Sequence, residues 1–168
     1  MARVLKWLGL VILGIAALAV CVAFAARFCD GPLGPFPGGQ MSGERVAEPV
    51  TDWDFIVERD TVELEVNPEA PRSITTWVVG YGGQPYIPGA FGARKKWTAQ
   101  LVADGRAVLR VDGKLYERQA VQVADEALLQ ELRAVLIRKY ELDPEGNFSG
   151  PETWFFRLDP RESPSSPQ

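Results

Sequence analysis

Arg72–Val123 reads RSITTWVVGYGGQPYIPGAFGARKKWTAQLVADGRAVLRVDGKLYERQAVQV. Runs rich in β-branched and aromatic residues alternate here with turn residues, around one basic insert. Ser73–Val79 (SITTWVV) predicts a central strand. Gly80–Pro85 contains three glycines and predicts a hairpin onto Tyr86-Ile87. Pro88 cannot donate to a ladder and suits a strand end or an edge. Ala93–Ala103 (ARKKWTAQLVA) spaces Trp97, Leu101 and Val102 for a short amphipathic helix. Arg106–Val111 and Lys114–Val123 flank Asp112-Gly113, a strong hairpin signal. The predicted order is strand, turn, strand, helix, strand, turn, strand.

Outward from this stretch, Thr61–Val66 (TVELEV) alternates apolar and acidic residues, the pattern of a strand with one wet face. Asn67–Pro71 is a proline-rich turn, and Asp52–Glu58 (DWDFIVE) is a further strand candidate. On the C-terminal side, Asp125 is a candidate N-cap for a helix to Tyr140 that places Leu128, Leu129, Leu132, Val135 and Leu136 on one face. Pro144–Pro151 is a loop and Thr153–Leu158 a final strand. Asp159 belongs with the polar tail, and residues 160–168 are predicted to be disordered. The folded domain then occupies 52–159, within the roughly 100–150 residues usual for one core.

The N-terminus has a different character. Residues 1–28 contain the uncharged run Trp7–Ala26, preceded by Arg3 and Lys6. Twenty residues at 1.5 Å rise span ~30 Å, the thickness of a bilayer core. The leading charges predict a cytoplasmic N-terminus and an exported C-terminal domain on the periplasmic side, with the bilayer as partner. A cleaved signal peptide is the competing reading, because Ala23-Phe24-Ala25 has a small-x-small pattern. The run is longer than a usual signal h-region, which favours an uncleaved anchor. Lipidation at Cys21 would put the branched Val20 where a small residue is wanted, and a buried core helix would lack any polar face. Residues 29–51 are rich in Gly and Pro, so neither helix nor strand is expected there. They read either as a plain spacer or, because of Leu33 and Phe36, as a segment lying along a surface.

Composition excludes several kinds of chemistry. The chain has no histidine, which removes Ser-His-Asp and Cys-His nucleophilic sites and disfavours a catalytic zinc site. A net charge of −4 does not point to a nucleic-acid partner. Both cysteines, Cys21 and Cys29, lie in or beside the apolar run, outside the folded domain. Glu63 and Glu65 read as a wet strand face, and nothing marks them as an acid/base pair. Asn147-Phe148-Ser149 matches a glycosylation acceptor, a motif too short to carry weight.

The succession RSITTWVV, GQPYIPGA, ARKKWTAQL, RAVLRVDGKLYERQAVQV and a helix ending in RKY resembles the split β-barrel superfamily. That superfamily contains pyridoxamine-phosphate-oxidase-like flavin proteins and deazaflavin-dependent nitroreductase-like proteins. The resemblance covers about Asp52 to Leu158. It implies a mainly β (α+β) fold, a split barrel of six or seven antiparallel strands with two peripheral helices, here following one N-terminal transmembrane helix. It also implies a homodimer and an FMN or deazaflavin at the barrel edge, its phosphate held by basic residues. The matching positions are Arg72, Arg94, Lys95 and Lys96, with Tyr86 as a hydroxyl and Trp97 as a stacking ring. The strand position that often carries Thr or Ser beside the cofactor is Pro88 in this chain.

Physical chemistry bears on the same residues. Cations are worse placed than acids at a helix N-terminus, where the macrodipole is positive. Arg94-Lys95-Lys96 therefore fits an anion bound by amides, dipole and side chains together, or a solvated or lipid-facing basic surface. Trp97 has a second reading as a core residue fixing the helix to the barrel, as does Trp77 on its strand. The functional expectation is a membrane-anchored, oxidoreductase-like split barrel, in which the cofactor would supply the redox chemistry. Its alternative is a cofactor-free envelope interaction module, and a weaker third reading is a protein of assembly alone. No catalytic residue is identified from the sequence.

Overall fold

The computed structural model describes residues 2–47, 50–146 and 148–161. Helix α1 (Ala2–Ala26) leads into a strap, residues 27–47, that ends in the two-residue strand β1 (Glu44–Arg45). The domain then runs β2 (Thr61–Val66), β3 (Arg72–Trp77), β4 (Val79–Tyr81), β5 (Gln84–Gly89), α2 (Lys96–Ala103), β6 (Arg106–Val111), β7 (Lys114–Gln122), α3 (Glu126–Tyr140) and β8 (Trp154–Pro160). Lys6–Ala26 of α1 is apolar enough to cross a membrane, with a mean hydropathy of 2.8, and by length and composition alone.

Seven strands form one antiparallel path, β3-β2-β6-β7-β8-β5-β4, and β1 joins β7 in parallel. β3 and β4 stand at opposite ends of this path, yet only Val78 separates them in sequence. A sheet whose first and last strands are joined by one residue must be rolled up. The fold is thus the split barrel, seven strands curled with α2 packing Trp97 and Leu101 into the inner cluster, α3 outside and a seam at Val78.

Two apolar clusters hold it. Inside the curl, Leu64, Val66, Ile87, Leu109, Phe156 and Leu158 are sealed with Trp53 and Ile56. Outside, α3 lays Leu132 and Leu136 on Val79, Tyr86 and Phe155. Arg118 on β7 is wholly buried, its guanidinium carbon 4.3 Å from the Trp53 ring centre. Asp125 caps α3, its carboxylate accepting from the Leu128 amide at 2.9 Å. The Asp112-Gly113 hairpin has positive φ at both residues, as a tight two-residue turn between twisted strands needs.

Several elements differ from the sequence expectation. Asp52–Glu58 is not a strand: Asp54–Ile56 is a turn of 3-10 helix. Trp53 and Ile56, three apart, both point into the core, a spacing that alternation cannot satisfy. Ser73–Val79 is neither one strand nor central, because the chain breaks at Val78 and β3 ends the path. Strand β8 runs two residues past Leu158, since Asp159 and Pro160 pair with Gln119 and Arg118. The tail beyond Arg161, expected to be disordered, lies outside the described residues, as does Asn147 of the acceptor motif.

The strap lies along the barrel, the second of the two readings of residues 29–51, and it includes a strand where none was expected. Gly38 exchanges both backbone hydrogen bonds with Ser73, at 2.9 and 3.1 Å. The Met41 amide donates to the Glu65 carboxylate at 2.5 Å. Asp30 accepts from the Ser42 amide (2.7 Å) and hydroxyl (2.6 Å) and pairs with Arg110 at 2.8 Å, and Arg110 also holds Glu63. Arg45 of β1 pairs with the buried Glu117. Leu33 and Phe36, whose apolarity suggested docking, are respectively exposed and half-buried, and Met41 is the apolar side chain the strap buries.

Candidate functional site

A groove of about 430 Å³ lies beside the seam. Its floor is β3, which presents Arg72, Ile74, Thr75, Thr76 and Trp77, with Thr61 at the start of β2. Pro88 and Ala90, on and just beyond β5, form one wall with Lys95 and Trp97. Gly34–Pro37 of the strap and Phe148 of the α3–β8 loop close the rest. The described lining thus holds four aromatic rings, three threonines, two cations and no carboxylate.

Local structure explains how Lys95 and Trp97 reach the groove. Gly92–Arg94 is a 3-10 turn, Lys95 is extended, and α2 starts at Lys96 with no side-chain cap. Gly92 has a φ of +47°, and a Cβ there would meet the Trp154 ring at 2.8 Å. The Thr98 hydroxyl shares its proton between the carbonyls of Gly92 (2.5 Å) and Lys95 (2.7 Å), so turn and helix are tied together. Gly89 lets α2 sit close, since a Cβ there would meet the Thr98 methyl at 2.7 Å.

The residues singled out from sequence separate into two groups. Arg72, Lys95 and Trp97 come together in the groove. Trp97 is also a core residue, buried beside Phe156, so both of its readings describe one side chain. Tyr86 faces α3 in the outer cluster, where burial raises its phenol pKa. Arg94 is exposed, 3.8 Å from Glu152, and Lys96 is exposed at the first turn of α2. The helix-turn geometry gives the reason: of three successive cations, the bend at Lys95 turns only the middle one to the lining.

Arg72 is the most constrained cation of the site. Its Nε is buried with no hydrogen-bond partner. Burial first, and the charge of Arg27 second, push its guanidinium pKa down from the ordinary value. An orphaned buried donor on a charged group is costly, and a bound anion would relieve it.

The strap's Gly34–Pro37, the threonines, Trp77 and Phe148 were not foreseen as lining. Trp77 stacks on Tyr140 with centroids 4.6 Å apart while its edge borders the groove. Only the hydroxyl-rich TT of Thr75-Thr76 carried a sequence signal, and strands favour threonine for other reasons.

Three solved structures share this architecture. A conserved hypothetical protein from Mycobacterium tuberculosis matches with a TM-score of 0.55 at 16% identity, covering 70% of this chain and 87% of that one. HutZ, the heme storage protein from Vibrio cholerae, matches at 0.53 and 13%, over 66% and 87%. A candidate pyridoxamine 5′-phosphate oxidase from Listeria innocua matches at 0.51 and 14%, over 64% and 90%. At these identities the likeness establishes the split-barrel fold and no more. No family model matches the chain, nor does any curated protein by sequence.

Proposed function

We propose that this chain is a membrane-anchored, oxidoreductase-like split barrel whose seam groove binds a flavin-type cofactor, FMN or a deazaflavin. One observation carries the reading: a groove of ≈ 430 Å³, walled by Trp77, Trp97 and Phe148, contains Arg72 and Lys95 with no acidic side chain in the described lining. A planar aromatic ring bearing an anionic tail matches that combination. The residues fit such a group in a further respect, because the unpartnered Nε of Arg72 needs an acceptor. Bound there, the cofactor would supply hydride chemistry, which amino-acid side chains do not provide. Trp97 and Trp77 would orient the ring, Pro88 and Ala90 would exclude water from it, and Arg72 and Lys95 would hold the charge. Helix α1 would keep the barrel at a bilayer surface, its apolar length being suited to span one.

The test is the full chain purified in detergent. It should be yellow, or should gain thermal stability with FMN or a deazaflavin; ligand at 100 times its dissociation constant adds ~2.7 kcal/mol. Colourless protein that neither compound stabilises would remove the reading. Pro88 favours a second one, a cofactor-free interaction module, because it brings neither hydroxyl nor amide hydrogen to the lining. That reading expects the colourless, unmoved outcome together with capture of an envelope partner lost on reversing Lys95 to Glu.

A further inference from the structure

Just past α1 the strap makes a closed finger. Helical hydrogen bonding runs on to Phe28 and Cys29, whose amides donate to the Ala25 and Ala26 carbonyls at 3.0 Å. The Cys29 carbonyl then accepts from the Gly39 amide at 3.2 Å, and a Cβ on Gly38 would collide with the Gly31 carbonyl. The two ends of the segment Cys29–Gly39 therefore meet. At its tip, Leu33 and Phe36 exchange both backbone hydrogen bonds, at 2.9 and 3.0 Å. Asp30 on Arg110 and Gly38 on Ser73 hold the finger to the barrel, and Ala26 is wholly buried. Helix, finger and barrel are joined without slack.

We infer that the tip of this finger, Leu33–Phe36, lies in the headgroup layer of the bilayer that α1 crosses, so that the seam groove opens at the lipid surface. This rests on the membrane-anchored reading above and adds a second, interfacial contact to the spanning helix. Four observations support it. Residues 31–43 contain no charged side chain. Phe28 and Leu33 are 79% and 51% exposed, and Phe28 sits edge-on to Phe24 of α1 with ring centres 5.6 Å apart, so the apolar surface of the helix continues to the root of the finger. The backbone of the tip suits a medium poor in hydrogen-bond partners: Pro32, Pro35 and Pro37 have no amide hydrogen, and the amides of Leu33 and Phe36 are both answered. Leu33 follows Cys29 by four residues, a reach of at most ~14 Å from the end of the helix. Gly34–Pro37 is at the same time one side of the groove, which ties the groove's position to that of the tip.

The experiment uses the full chain in phosphatidylcholine nanodiscs, with Cys21 and Cys29 changed to serine and a nitroxide on one new cysteine at a time. Leu33→Cys samples the tip, Leu13→Cys the middle of α1, and Ala134→Cys the outer face of α3; all three positions are exposed, so the core stays intact. Collision with oxygen, which concentrates in lipid, is compared with collision with a water-soluble nickel chelate. The oxygen-to-nickel ratio at Leu33 should be several-fold above that at Ala134 and below that at Leu13. A ratio at Leu33 equal to that at Ala134, with Leu13 still in lipid, overturns the inference and leaves the anchor in place. A Leu33 nitroxide shielded from both reagents is covered by protein, a second copy of the chain included, and also overturns it. A water-like ratio at Leu13 removes the anchor itself, and the inference falls with it.

Discussion

The phenol of Tyr140 answers both backbone groups of Val78: the Val78 amide donates to Oη at 3.0 Å, and Oη lies 2.8 Å from the Val78 carbonyl. The Asp60 carbonyl stands 2.7 Å from the same oxygen and shares its proton. Lys139 adds its ammonium to the Val78 (3.0 Å) and Arg59 (2.6 Å) carbonyls. Val78 is the one residue that leaves β3 before β4 begins, so its peptide groups have no ladder. The last turn of α3 supplies what the sheet cannot, and the barrel's seam is closed by side chains.

Tyr140→Phe should therefore destabilise the protein by about 1–3 kcal/mol, the cost of leaving buried backbone groups unanswered, although the ring and its stacking on Trp77 are retained. Urea denaturation measures it. A difference below about 0.5 kcal/mol would show that water replaces the hydroxyl.

Burial pushes the Tyr140 pKa up to about 12 from an ordinary 10.0. A raised folded-state pKa means that the folded chain keeps the proton more tightly than the unfolded one. The stability from this group is complete below the unfolded value and is lost as pH rises through the folded value. Absorbance at 295 nm should show a phenol titrating near pH 12 that Tyr140→Phe deletes, with alkaline destabilisation that is shallower in the variant.

Lys95 and Lys96 are adjacent cations with different surroundings, one on the groove lining and one outside it. Lys95→Gln should weaken FMN binding several-fold, and Lys96→Gln should leave it within twofold. Fluorescence titration at low and moderate salt decides this; equal effects would mean that only the general field of the basic turn matters.

The strap's two acidic contacts should respond to acid with opposite signs. The Ser42 side-chain and backbone hydrogen bonds, chiefly, hold the Asp30 pKa below its ordinary 3.8. Its stabilising contribution is present above that value and is lost as pH falls through the folded value. Burial raises the Glu65 pKa, so its contribution is greatest in acid and declines as pH rises through the folded value. As pH falls Glu65 takes its proton before Asp30 does, so hydrogen-exchange protection should change at the Met41 amide, which the Glu65 carboxylate accepts from, at a higher pH than at the Ser42 amide, which Asp30 accepts from. Asp30→Asn should mimic the acid effect at neutral pH.

Gly92→Ala should cost roughly 1–3 kcal/mol, since positive φ and an indole at 2.8 Å act together. It should also weaken FMN binding, because this turn sets Lys95. Stability and affinity falling together identify the turn as the positioning element.

The strands and their hairpins were legible because alternation and Asp-Gly chemistry act over a few residues. The break at Val78 was not: SITTWVV is uniformly β-prone, and what interrupts it is Tyr140, more than sixty residues away. Trp53 and Ile56 misled in the same manner, since a single 3-10 turn is too short to give a period. The residues of the groove were half legible. Charge drew attention to Arg72 and Lys95, but no pattern distinguishes Lys95 from its neighbours until the bend at the helix start is known. The strap was obscured by composition. Gly and Pro suggest slack chain, whereas Gly38 and Gly39 are small because backbone passes within contact distance of them.

That strap has a practical consequence for anyone excising the barrel. A fragment beginning at Asp52, where sequence alone would cut, loses β1 and uncovers the unpaired edge of β7 at Lys114-Leu115. It also strips Arg45 from the buried carboxylate of Glu117, strands Glu65 without the Met41 amide, and removes the Gly34–Pro37 side of the groove. Bare strand edges recruit one another, so such a fragment should precipitate or self-associate. A fragment starting at Arg27 keeps these contacts, and should stay monodisperse where the shorter one self-associates.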